Sequence, residues 1–173
     1  MNEVMNAILS RRSIRKFTEQ PIPDDVLRDI VDAALHAPSG MGKQTWQFTV
    51  ITNKEVISRL ADAIGKELDR KGYDIYKPAA LLMVSNITGG NWSKEDNACA
   101  LENAFLAAYS HGVGAVWINQ MQNINDRPAI RAILNELGVP ADHSVTGMAA
   151  LGYPAPDTPI APIKRTGKVV YVK

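Results

Sequence analysis

Cysteine is almost absent from this chain, with Cys99 standing alone among 173 residues. No internal disulfide is possible, and a small secreted scaffold held together by bridges is excluded. Histidine is scarce too: His36, His111 and His143 are the only three. None has the spacing of a helical metal motif or an obvious nucleophile partner, so neither a metal site nor a side-chain catalytic residue is expected. No sign of charge dominates, since 19 basic residues oppose 18 acidic ones for a net of +1. Such a balance gives no global pull toward nucleic acid or an anionic membrane, and neither is expected as a partner. The longest apolar runs, such as 79–84, fall far short of the roughly 20 residues that cross a bilayer. The first residues lack the features of a secretory leader, and a reducing, cytoplasmic setting is expected. Missing as well are the glycine patterns of the P-loop and of the dinucleotide fingerprint.

What is present is apolar material, 46% of the chain, enough for the core of one domain over residues 1–173. Val4, Met5, Ile8 and Leu9 recur at helical spacing and predict a short helix that feeds the cations from Arg11 to Lys16. Val26, Leu27, Ile30, Val31, Ala34 and Leu35 predict a second helix, with Asp24 and Asp25 in its first turn and its end before Pro38. Residues 39–44 read as a glycine loop running into a strand over 46–52. Asn53 is the expected cap of a third helix carrying Val56, Ile57, Leu60, Ala61 and Ile64. Residues 79–86 read as a buried strand. Ser93 to Asp96 reads as a capping box that opens a long alanine-rich helix through Tyr109, expected at the centre of the fold with Cys99 as a core residue.

Gly112 closes that helix, 114–118 predict another buried strand, and 119–125 form a polar, irregular loop. Asn125 or Asp126 is the expected cap of a helix bearing Ile130, Ile133, Leu134 and Leu137, ended by Gly138 and Pro140. A strand follows over 144–151. Prolines at 154, 156, 159 and 162 exclude helix from the next segment and predict an extended arm, while 168–172 regain strand character. An arm that ends in a strand points to pairing with a second subunit's sheet edge. Helices and strands alternate irregularly, which reads as one α+β domain.

Chemistry has three candidate locations. Arg11, Arg12, Ser13 and Arg15 bring guanidinium forks and a hydroxyl to a helix-to-loop junction, where they match the oxygens of a phosphate group. A solvated basic turn is the alternative. The loop from Pro38 through Ser39 and Gly40 to Gln44 permits close backbone approach to a flat ligand and offers polar groups to its edge; a plain helix-to-strand connection is the alternative. Lys164 and Arg165 are two cations in an apolar, proline-rich tail, a pattern that also serves solubility. His36 and His111 fall near helix C-termini, where imidazole partners the dipole.

In this order the segments resemble the nitroreductase family of FMN-dependent oxidoreductases. Arg11-Arg12-Ser13-Ile14-Arg15-Lys16-Phe17 resembles the family's Arg-x-Ser-x-Arg/Lys-x-Phe signature. Ala37-Pro38-Ser39-Gly40 with Gln44-Thr45-Trp46 is similar to its Ala-Pro-Ser and Asn-x-Gln-Pro-Trp signature, with Gly42 and Thr45 at the usual asparagine and proline. Asn103 and the run from His111 to Ile118 resemble the central helix and the Gly-Leu-Gly-x-x-Trp-Ile strand. Gly152-Tyr153-Pro154 with Lys164 and Arg165 resembles the closing Gly-Tyr-Pro and basic phosphate contact, followed here by a shortened ending.

The resemblance implies a three-layer sandwich with a mixed, mostly antiparallel sheet flanked by helices. It implies a homodimer that exchanges C-terminal arms and holds FMN at each interface. NADH or NADPH would be the co-substrate, and a nitroaromatic, quinone or similar compound the acceptor, in ping-pong order. Arg11, Arg12, Ser13 and Arg15, with Lys164 or Arg165, would hold the phosphate and ribityl chain; Pro38, Ser39, Gly40 and Gln44 would hold the ring. By position, the loop with Asn119 and Gln120 is expected at the ring's other side, and 66–77 is expected to shape the pocket. Different acceptor chemistry (dehalogenation or flavin destruction) and a flavin-binding module or sensor without turnover are the competing readings.

Overall fold

The computed structural model describes residues 2–160 and 164–173. Its frame is a sheet of four strands: β1 (Gln47–Ile51), β2 (Ala80–Ile87), β3 (Gly114–Ile118) and β4 (His143–Gly152). They lie in the order β1-β2-β4-β3 with every neighbour antiparallel. The expected mixed sheet is thus antiparallel throughout these four strands, and the parallel contribution is an isolated bridge from Ser13 to Ala115. Among the described residues five α-helices flank the sheet: α1 (Glu3–Ser10), α2 (Asp24–Leu35), α3 (Lys54–Glu67), α4 (Ser93–Ser110) and α5 (Pro128–Glu136).

Strand periodicity sorts the side chains into two cores, because successive residues face opposite sides of the sheet. Leu81, Met83 and Val116 meet Leu60 and Ile64 of α3 and Ile130 and Leu134 of α5 on one face. On the other, Ala80, Leu82 and Val84 meet Ile30 and Ala34 of α2 and Ala100, Leu101 and Ala104 of α4. Helices on both faces make the expected three layers. A register shift between Val84 and Ser85 lets β2 pair along nearly the whole of β4.

Local signals succeed where no tertiary contact competes. Asn53 caps α3, its side chain accepting from Glu55 N at 2.9 Å and Val56 N at 3.1 Å. His36 and His111 sit at the C-caps of α2 and α4; His111 Nε2 lies 3.2 Å from Asp29 Oδ2, and His36 Nδ1 lies 2.8 Å from its own helix's Asp32 carbonyl.

Three expectations need correction. The capping box at Ser93 does not form, because Trp92 occupies the N-cap, Ser93 Oγ donates to Ile87 O at 2.8 Å, and the Asp96 carboxylate faces another loop. Neither Asn125 nor Asp126 caps α5; Arg127 precedes Pro128 there, and Asn125 is buried in a different role. Cys99 is exposed, since the inward stripe of α4 runs through Asp96, Asn97, Ala100, Ala104 and Ala108. Residues 168–172, expected as a strand that pairs with a second subunit, lie exposed and unpaired in the single chain. Of the arm and tail cation segments, 161–163 fall outside the described residues.

Candidate active site

The basic turn is fixed by backbone pairing. As α1 ends at Arg11, the chain runs beside β3, and Ile14 N donates to Ala115 O at 3.0 Å. Gly114 makes the approach possible: a Cβ there would stand 2.8 Å from Ile14 Cβ. Ile14 is driven inward by its apolar side chain, which leaves Ser13 and Arg15 facing solvent. Arg11 Nε pairs with Glu102 Oε1 at 3.2 Å, and its guanidinium lies 5.6 Å from the centroid of the Phe105 ring. Arg12 folds back on the helix end, Nη1 donating to Leu9 O and Arg11 O, while its Nε is withdrawn from solvent without a partner among the described residues. Among the described residues Arg15 forms no ion pair. Lys16 is engaged with Asp157 at 2.7 Å, which holds the Asp157 carboxyl below its usual range.

Arg11 and Arg12 line a cavity of about 140 Å³ together with Phe105, Gly112 and Gly114. Pro154 and Ile160 of the C-terminal arm line it too. Lys164 and Arg165 do not; both are exposed farther along the arm. From the Arg11 side an aromatic path continues across the sheet, as Phe105 meets Trp117 edge-on at 6.2 Å and Trp117 Nε1 donates to Asn119 Oδ1 at 3.4 Å. Gly147 leaves room for that indole, since a Cβ would come within 2.4 Å of it. Asn119 N donates to Gln120 Oε1 at 3.0 Å, so these two residues form a turn just past the end of β3.

The loop after Pro38 is held rather than loose. Gly40 N donates to Asp96 Oδ1 at 2.8 Å, and Gln44 N donates to Ser39 Oγ at 3.2 Å. A short 3₁₀ turn over Gly40–Gly42 contains left-handed backbone at Met41 and Gly42, and Gln44 is left-handed as well. Thr45 Oγ1 donates to Asn86 Oδ1 at 2.7 Å, and Asn86 in turn donates to the buried Asn97 of α4 at 3.2 Å. The 66–77 segment helps enclose a separate cavity of about 400 Å³ with Phe17 and α3. Burial pushes the Tyr73 phenol there up to about 12.

Within the single chain the basic turn and the 119–120 turn thus lie along β3, the 38–44 loop lies at the start of α4, and the tail cations do not line the cavity beside the basic turn. Glu102, Phe105 and Trp92 escaped the sequence reading, in which Asp96 is part of a capping box rather than a loop anchor. Glu102 left no signal, because its partner Arg11 is 91 residues away.

Comparison with known proteins agrees with this architecture. The model of the "Nitroreductase family" matches residues 8–80 and 74–153. The structure of an FMN-bound nitroreductase from Bacteroides fragilis superposes with a TM-score of 0.92 at 38% identity, covering 100% of both chains. A candidate NADH dehydrogenase/NAD(P)H nitroreductase of Archaeoglobus fulgidus is 31% identical over 156 residues, 89% of this chain and 87% of that protein. An NADPH-flavin oxidoreductase of Vibrio harveyi is 27% identical over 94% of this chain and 70% of its own length. A family match from the basic turn through the last strand, joined to end-to-end agreement with a solved relative, settles the lineage: this chain belongs to the nitroreductase family.

Proposed function

We propose that the protein is an FMN-dependent oxidoreductase that carries reducing equivalents from NAD(P)H to a nitroaromatic, quinone or similar flat acceptor. One observation carries the reading: an arginine-rich turn clamped to β3 beside a cavity, in a chain similar over its full length to a protein that binds FMN. The donor set fits a phosphate monoester, which takes several charge-assisted hydrogen bonds. Arg12 Nε has no partner, and Arg15 no counter-ion among the described residues. Arg11, Arg12, Ser13 and Arg15 are assigned to the phosphate and ribityl chain, with Lys164 or Arg165 joining as the arm settles. Pro38, Ser39, Gly40 and Gln44 are assigned to the ring, with Asn119 and Gln120 across from them.

FMN, when bound, supplies the hydride and electron chemistry. The chain's own residues then have positional tasks, which accounts for a site without a general acid or base. The Asp96 anchor on Gly40 keeps the 38–44 loop in one place, and the Ile14 to Ala115 bond does the same for the basic turn. Donor and acceptor share one space, so ping-pong kinetics are expected.

The active form is proposed to be a homodimer that exchanges its arms. Support comes from apolar surface without cover: Val169 to Val172 are 68% to 93% exposed, and α1 buries no residue at all. β1 is an edge strand whose Val50 borders an open groove with Leu27, Val31 and Leu35 of α2. A strand from a second copy would satisfy that edge. Removing residues 168–173 is expected to yield a monomer by sedimentation, and a dimer unchanged by the truncation refutes the exchange.

A visible absorption spectrum tests the cofactor directly, and a colourless preparation that takes up no added FMN overturns the assignment. Replacing both Arg11 and Arg15 by Ala is expected to weaken FMN binding by about 2–4 kcal/mol, read by flavin fluorescence. Parallel lines in a two-substrate kinetic plot are the expected mark of turnover; a yellow protein that oxidises no NAD(P)H points to a sensor.

A further inference from the structure

Trp92 opens α4 without capping it, and its indole packs on the ring-facing loop. A Cβ at Gly40 would stand 2.6 Å from Trp92 Cδ2 and Cε3, so only glycine admits the contact. The Lys43 ammonium lies 5.9 Å from the indole centroid. Lys43 forms no ion pair among the described residues. Trp92 is 39% exposed and, with Lys43, Thr45 and Asp96, borders a hollow of about 120 Å³. The indole thus keeps part of its surface in water beside an ammonium that has the ring, and no acid among the described residues, as its partner. The Asp96 carboxylate borders the same hollow, where it accepts from Gly40 N at 2.8 Å, and it forms no ion pair with Lys43.

We propose that Trp92 and Lys43 form an acceptor-selecting wall. An electron-rich indole stacks on a flat, electron-poor ring. The neighbouring ammonium favours an acceptor bearing a carboxylate over its neutral counterpart. Anionic nitroaromatics, represented by 4-nitrobenzoate, are the class this wall takes. The assignment rests on the placement of the 38–44 loop at the flavin ring. It adds a choice among acceptors that the hydride chemistry itself does not make.

The test uses the purified holoprotein at saturating NAD(P)H, with 4-nitrobenzoate and the neutral 4-nitrobenzyl alcohol as acceptors. Lys43→Gln is expected to raise KM for the carboxylate about threefold to fivefold, the range of one exposed ion pair. Its kcat, its FMN content and its KM for the alcohol are expected to stay unchanged. Trp92→Leu is expected to raise KM for both acceptors about fivefold, as loss of a stacking partner does, and Trp92→Phe to restore most of it. Equal KM shifts for the two acceptors in Lys43→Gln, or no shift in any variant, refutes the wall while the flavin assignment stands. If Trp92→Leu loses its flavin, the Lys43→Gln comparison decides alone. A wild type that binds no FMN removes the underlying reading and this inference with it.

Discussion

Asn125 is the residue whose replacement most sharply separates a local cap from a tertiary joint. Its Nδ2 donates to Met121 O at 2.8 Å and Val145 O at 3.0 Å, and its Oδ1 accepts from Val145 N at 2.7 Å. Pairing of β3 with β4 ends at Ile118 and Met148. Beyond that point the outward backbone groups of β4 have no strand beside them, and the Asn125 amide takes the place of one. In Asn125→Ala the N–H and C=O of Val145 are stranded in a site where Asn125 itself is only 8% exposed. A buried group without its partner costs about 1–3 kcal/mol, and neighbouring losses are not additive. The expected destabilisation is about 3 kcal/mol in urea, or a Tm lowered by about 6–12 °C for a chain of this size.

Asn125→Asp refines the test. It keeps the acceptor for Val145 N but turns a carboxylate oxygen toward two carbonyls, so burial and repulsion raise its folded-state pKa above the unfolded value of about 3.9. A raised folded pKa means stability that is present below the unfolded pKa and lost as pH rises through the folded one. The deficit of this variant relative to wild type is therefore expected to be smallest in acid and to grow toward neutrality. An Asn125→Ala protein within about 0.5 kcal/mol of wild type, or an Asn125→Asp deficit that widens in acid, refutes the joint.

Two further perturbations probe other parts of the structure. Gly114→Ala places a methyl 2.8 to 2.9 Å from three atoms of Ile14; overpacking there is expected to cost about 1–3 kcal/mol and to loosen FMN binding by moving the basic turn, with an unchanged urea midpoint as the contrary result. Tyr73, pushed up to about 12 mainly by burial, contributes stability that is intact below pH 10.0 and lost as pH rises toward its folded value. Its hydroxyl has no partner among the described residues, so Tyr73→Phe is expected to fold at least as stably at neutral pH and to resist alkali better; a variant that unfolds earlier in alkali contradicts this.

The elements were legible because their signals are local. Periodicity locates α2 and α3, and continuous apolar runs locate β2 and β3, since burial of one face needs nothing beyond that face. Caps were legible only where nothing distant competed. Asn53 obeys its local preference, whereas Ser93 is drawn to Ile87 O, Asp96 to a loop 56 residues away, and Asn125 to β4. All three side chains suit a helix start, and in each a backbone group elsewhere takes the side chain instead, part-buried at Ile87 and Gly40 and buried at Val145. Cys99 fails for a related reason, because an alanine-rich helix has too little contrast along it to show which side faces inward. The 38–44 loop and the basic turn stand out as candidates through their glycines and guanidinium groups and take their proposed roles from the resemblance, while Trp92 and Glu102, which touch them, carry no pattern that spacing reveals.

What unites the site is therefore a helix that the motifs barely mention. α4 receives the 38–44 loop through Asp96 and the basic turn through Glu102 and Phe105, and it is tied to α2 by Asn103, whose amide donates to Ala33 O at 3.0 Å. Six residues of helix separate Asp96 from Glu102, a rise of roughly 9 Å. That spacing is set by backbone hydrogen bonds rather than by either loop, and a rigid ruler is what a flat cofactor with a phosphate at its far end requires. Small residues at 100, 104 and 108 let α4 lie close on the sheet, so the ruler is pressed against β2 and β4 and cannot tilt independently of them. Both halves of the proposed flavin site, in whichever protomer they act, are thus referenced to the same buried surface.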